Sequence, residues 1–127
     1  MAEAAVVYPV AITMILLTII TGLGMYRHQE VAYLAREGAR WASVHGPKYQ
    51  TDQNAAAPTA TDVMTNAINS KLVAITTSQL TPTLTWNVAA TPPTITFKLN
   101  YTWVPGAYHT IIGTKTFTST STQLITY

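Results

Sequence analysis

The 127-residue chain contains no cysteine, which rules out disulfides, thiolate metal sites and a thiol nucleophile. Charge is scarce too: Asp, Glu, Lys and Arg make up 9% of the residues, against about 25% in an ordinary soluble domain. Half of those charges fall before residue 46, and Lys48, Lys71, Lys98 and Lys115 are spread singly through the rest. A net charge of +2 without a basic cluster lacks the electrostatic footprint of nucleic-acid binding, so no nucleic-acid partner is expected. Groups that carry chemistry are also thin. His28, His45 and His109 have no zinc-ligand spacing, and Asp52 and Asp62, in a loop and at a helix start, make a poor acid–base pair. Ser43 and Ser70 have no nucleophile elbow around them, and Gly22 and Gly24 lie in an apolar run instead of a phosphate-cradling loop. No catalytic residue, metal ligand or cofactor is therefore expected, and an enzyme is not the reading.

What the chain does have is an uncharged N-terminal run. From residue 4 to residue 26 no side chain is charged, and 23 helical residues span about 35 Å, enough for a bilayer. Residues 27–44 continue with helix formers and no turn signal until His45, Gly46 and Pro47, so one helix, half apolar and half amphipathic, is expected. Pro9 predicts a bend, and Gly22 with Gly24 a soft point. Thr18 and Gly22 have the small-xxx-small spacing that lets helices approach closely, and Ala4, Ala11 and Thr18 extend that face. Further on, Val31, Leu34, Gly38, Trp41 and His45 follow 3,4 spacing, with Ala35, Ala39 and Ala42 beside them. That stripe should receive the rest of the chain. Arg27 with Glu30, and Glu37 with Arg40, are i,i+3 pairs expected on its flanks.

Residues 47–60 read as a linker or exposed loop. A short second helix follows, capped by Thr59, with Val63, Met64, Ala67, Ile68, Leu72 and Ile75 on one side and Asp62 near its positive end. Three strand-like runs then cover 80–88, 94–104 and 110–127; the middle one alternates Ile95, Phe97, Leu99, Tyr101 and Trp103 with polar residues. The short links predict an antiparallel meander whose last strand, with threonine at every second position from 114 to 122, is an edge. The expected fold is α+β: a long hydrophobic-then-amphipathic helix over 1–46 (membrane span or filament core 4–26, amphipathic 27–45), a linker over 47–60, and a small head with one short helix and three strands over 61–127. Twenty-three threonines, mostly after residue 50, suit exposed strand faces. Trp41, Trp86 and Trp103 are expected in the core, and Tyr108 and Tyr127 on the surface, available for adhesion. Asn100-Tyr101-Thr102 is a formal glycosylation sequon, of a kind that arises often by chance in a threonine-rich chain.

Two motifs resemble the TadE-like family of pilin-type proteins from tight-adherence pilus systems. One is Glu3 followed by Pro9 with only Ala, Val and Tyr between; the other is "LAREGARWASV", residues 34–44, which is similar to the family's "AREGAR" segment. The resemblance covers about the first 45 residues. It implies a subunit held in the inner membrane, processed by a prepilin peptidase, and passed by pilus assembly machinery into a helical homopolymer of copies of itself outside the cell. In that family the acidic residue lies about five positions after the cut, whereas here it is third. If Met1 is the true start, Arg27, Arg36 and Arg40 would be cytoplasmic by the positive-inside rule, which fits a threonine-rich head poorly; a basic leader already removed resolves the conflict. A carboxylate at bilayer level costs on the order of 2.5–3.5 kcal/mol. Glu3 would meet that cost by accepting the α-amino group at Met1 of a neighbouring copy and setting axial register, or by satisfying its own helix N-terminus. Assembly residues are thus Met1, Glu3 and Pro9; helix-packing residues are Ala11, Thr18, Gly22 and Gly24; helix-to-head residues are Leu34, Gly38 and Trp41. The alternatives are a single-pass inner-membrane minor pilin or assembly factor, and an archaeal-type pilin, against which "AREGAR" argues.

Overall fold

The computed structural model describes residues 2–126, without the side chains of residues 2, 3 and 107. Helix α1 (Ala2–Val44) runs unbroken for 43 residues, about 65 Å, through Pro9. It stops where His45, Gly46 and Pro47 were expected to stop it. The stretch expected as a linker carries a further short helix, α2 (Pro47–Gln53). Pro47 can sit in a first turn, where its missing N–H is not needed, and Asn54 ends α2 in the left-handed conformation.

The second head helix exists but is irregular. Helix α3 (Ala60–Val63) opens with a capping box: Thr59 Oγ1 accepts from the Asp62 amide, and Asp62 accepts from the Thr59 amide at 2.8 Å. It then widens into a π-helical turn (Met64–Ile68) and tightens into a 3-10 turn (Asn69–Lys71). The wide turn keeps Val63, Met64, Ala67 and Ile68 all buried. Periodicity alone could not foresee that change of pitch, because the same apolar positions suit a regular helix.

The three strands form one antiparallel sheet in the order β1 (Leu80–Asn87), β2 (Thr94–Trp103), β3 (Lys115–Leu124). Register pairs Leu84 with Phe97 and Phe97 with Ser121, so one face of all three strands is continuous. On that face Ile95, Phe97, Leu99 and Tyr101 are fully buried against α1. The outer face is mostly hydroxyl, with Thr96 bonded to Thr122 at 3.1 Å and Thr118 donating to Asn100 at 2.8 Å. The third strand begins later than expected: residues 109–112 form helix α4 (His109–Ile112), and Gly113, at φ +72°, turns the chain into β3. Few side chains tolerate that φ, which explains the turn better than the strand propensity of 110–113. Tyr108, expected on the surface, is half-buried against the core.

The head has no separate core of its own. Val31, Leu34, Ala35, Ala39 and Ala42 of α1 are fully buried and supply its helical wall, so the upper half of α1 and the sheet are one packing unit.

Candidate functional site

Residues 4–15 of α1 present an apolar, exposed surface below the head. Val6 is 67% exposed, Met14 66% and Ile15 60%. The threonine hydroxyls of the apolar run are turned onto the helix backbone: Thr13, Thr18 and Thr21 donate to the carbonyls of Pro9, Met14 and Leu17 at 2.7–2.9 Å. Such hydroxyls are satisfied without water, as lipid or a packed interface requires.

At 3.6 residues per turn the residues of α1 sort into two faces. Ala4, Ala11, Thr18 and Gly22 lie within roughly 40° of one another, and a Cβ built on Gly22 meets nothing within 4 Å. This small-residue face is open. Gly24 does not belong to it. It lies on the opposite side, where a Cβ would stand 3.0 Å from the Trp103 ring of the same chain, so its smallness serves the head and not a neighbouring helix. Met1 and Tyr127 lie outside the described residues, as does the Glu3 side chain.

The head-facing stripe is longer than the sequence reading made it. Ile20, Gly24, Arg27, Val31, Leu34 and Gly38 repeat at 4, 3, 4, 3, 4, and of these the sequence reading started only at Val31. The same spacing extended downward would have found Ile20 and Gly24; a charged residue at 27 hides it. Gly38 is the closest approach. A Cβ there would lie 2.6 Å from Phe97 Cε1 and 3.1 Å from Val63 Cγ1. Leu34 is fully buried beside it, and Trp41 is partly buried, stacked on His45 with ring centroids 3.9 Å apart.

The local ion pairs expected along α1 are replaced by contacts to the head. Arg27 donates to the Tyr101 hydroxyl at 2.6 Å and lies 5.7 Å from the centre of the Trp103 ring, which gives its guanidinium a hydrogen-bond partner and an aromatic face inside the stripe. The Glu30 carboxylate accepts the amides of Val73 and Ala74 at 2.8 and 3.1 Å, pinning the segment after the 3-10 turn. Glu37 pairs with Lys71 at the end of that turn. In "AREGAR", then, Ala35, Gly38 and Ala39 face inward, Glu37 clamps α3's extension, and Arg36 and Arg40 stay exposed.

The hydrogen bond from Lys71 holds the Glu37 carboxyl below its usual range, with Arg40 adding to the effect. The Thr59 amide, then its hydroxyl, does the same for Asp62. Both carboxyls are lowered on folding, so their contribution is complete above the unfolded-state values and is lost as pH falls through the folded ones. The thermal unfolding midpoint of the head is expected to be flat from pH 7 to about pH 5 and to decline below it. Glu37→Gln should shrink that decline at a cost of less than about 1 kcal/mol at pH 7, because the ion pair is partly exposed.

The three histidines stand apart. His28 meets the Phe117 ring edge-on, His45 lies between Trp41 and Tyr49, and His109 bonds to Thr114. Among the described residues no three of His, Asp and Glu are grouped as metal ligands would be. Asn100 stands on the outer face of the sheet, half-buried.

Among the described residues one helix is long and apolar enough to cross a membrane, and it carries the α+β head on its far half, a membrane-compatible arrangement. The family model described as TadE-like protein matches residues 1–40, the stretch that holds Glu3, Pro9 and "AREGAR". The match is a likeness to TadE-like proteins over about the first third of the chain, within α1, and does not reach the head. No curated protein and no solved structure matches the chain.

Proposed function

We propose that this protein is a non-enzymatic structural subunit of a tight-adherence-type filament. It is held in the inner membrane by α1, processed by a prepilin peptidase, and transferred by the assembly machinery into a helical homopolymer at the cell surface. The observation that carries this reading is the division of α1: one side of its lower half is uncovered and lined by Ala11, Thr18 and Gly22, while the other leads into the head. Small residues at this spacing let the rods of neighbouring copies approach closely, which supports packing side by side. In the filament the rods form the core and the threonine faces of the heads form the outside, where attachment to surfaces occurs.

Glu3 sets register in this scheme by taking the α-amino group of the next copy. Glu3→Gln is expected to abolish filaments while the protein still fractionates with membranes. Electron microscopy of a sheared surface fraction checks the first point and membrane flotation the second. Filaments of normal length from Glu3→Gln would remove the register role. Trace stoichiometry of the wild-type chain in that fraction would make it a minor component instead of the main subunit.

A further inference from the structure

The apolar run and the head overlap along α1. Leu16, Ile19 and Leu23 of the helix line one side of a groove of about 360 Å³, and Val104, Gly106 and Tyr108 of the loop after β2 line the other. Only residues 4–15 of the apolar run therefore lie wholly below the head. Twelve helical residues cover about 18 Å, well short of the roughly 30 Å hydrocarbon core of a bilayer. Counted upward from Ala4, 30 Å ends about twenty residues on, near Gly24, where Trp103 rests.

The loop at that depth is apolar apart from Tyr108, His109 and Thr110. Residues 104–113 contain no Asp, Glu, Lys or Arg, Ile111 is 76% exposed and Val104 48%. Above them stand the groups of a membrane surface: Trp103, Arg27 against its ring, and exposed Lys115, the register partner of Trp103.

We propose that, while α1 spans the membrane, the 104–112 loop is seated in the headgroup and upper acyl layer of the same bilayer, so that the head is a second, shallow membrane contact. The loop completes the span that the free part of the rod is too short to make, and continues the surface that the rod gives to lipid. This inference rests on the membrane stage of the proposed function and not on polymerisation.

The absence of cysteine allows the loop to be labelled at one site at a time. Ile111→Cys, and separately Val104→Cys, would carry an environment-sensitive fluorophore in the full-length chain, reconstituted into phosphatidylcholine–phosphatidylglycerol vesicles. Thr83→Cys on the outer face of β1 marks water, and Ile15→Cys reports insertion of the rod independently. Both loop labels are expected to lose fluorescence to lipids with a nitroxide on shallow acyl carbons and to be shielded from aqueous iodide, while the Thr83→Cys label does the reverse. Iodide reaching the Ile111→Cys and Val104→Cys labels as freely as the Thr83→Cys label, with the rod inserted, would overturn the proposal. So would shielding that grows with protein-to-lipid ratio and is blind to the nitroxide, which would mean that a second copy covers the loop. Failure to form filaments would leave these readings unchanged, so the two proposals fail separately.

Discussion

Ile15→Asp is expected to cut membrane insertion on the order of a hundredfold and to eliminate filaments. Ile15 lies at the middle of the 4–26 run and is 60% exposed, touching no part of the head. An aspartate at the centre of a spanning helix costs about 2.5–3.5 kcal/mol in insertion, and each 1.4 kcal/mol is about a factor of ten. The same charge would be buried among rods in a filament, where an unpaired carboxylate costs several kcal/mol. Flotation of membranes and electron microscopy of the surface fraction read the two losses. Thr120→Asp, on the outer face of the sheet, should change neither. Normal insertion and assembly of Ile15→Asp would mean that the lower half of α1 does not contact lipid or other rods.

Gly38→Val is expected to be the most damaging single change to the head. Its Cβ alone would lie 2.6 Å from Phe97 Cε1 and 3.1 Å from Val63 Cγ1, and both of those side chains are fully buried. A fully buried ring can yield only by displacing its neighbours, so the added volume strains the contact between helix and sheet. Overpacking of this kind costs about 1–3 kcal/mol, and two further methyls put valine at the upper end. For a domain of this size about 3 kcal/mol lowers the unfolding midpoint by roughly 12–24 °C. Gly38→Ala should still be destabilising, because the gain of about 1 kcal/mol in helix propensity does not offset the clash. Gly22→Val is the control. Its Cβ meets nothing within 4 Å, and it should leave the midpoint unchanged while disturbing only contacts between copies. An unshifted midpoint in Gly38→Val would contradict the packing of α1 on β2.

These two glycines show what could and could not be read from the chain. The apolar run, the 3,4 stripe from Val31, the Thr59 cap and the alternation in β2 all depend on neighbours a few residues away, and each is visible as a local pattern. Gly24 is different: in sequence it is one of two glycines two residues apart, and only the distant Trp103 decides which of them faces the head. The ion pairs followed the same rule. Arg27, Glu30 and Glu37 have partners nearby in sequence, but Tyr101, the Val73 and Ala74 amides, and Lys71 hold them instead. A tertiary contact at a part-buried position is less screened by water than an exposed i,i+3 pair, and nothing in the spacing announces it. The π-helical turn and the late start of β3 were hidden for a related reason, since both are changes of backbone geometry over residues whose side-chain pattern fits a regular element equally well.

A single helix serves as both stalk and inner wall of the head, with Val31, Leu34, Ala35 and Gly38 under the sheet and no break in the helix between. Tension drawn along the stalk therefore arrives at β2 and β3 as a sideways slide of one packed surface past another. Phe97, lodged at Gly38 like a detent, and the Glu30 and Glu37 attachments must all let go together before the head can shift. Load is shared among them from the outset, so the head resists being peeled away one contact at a time.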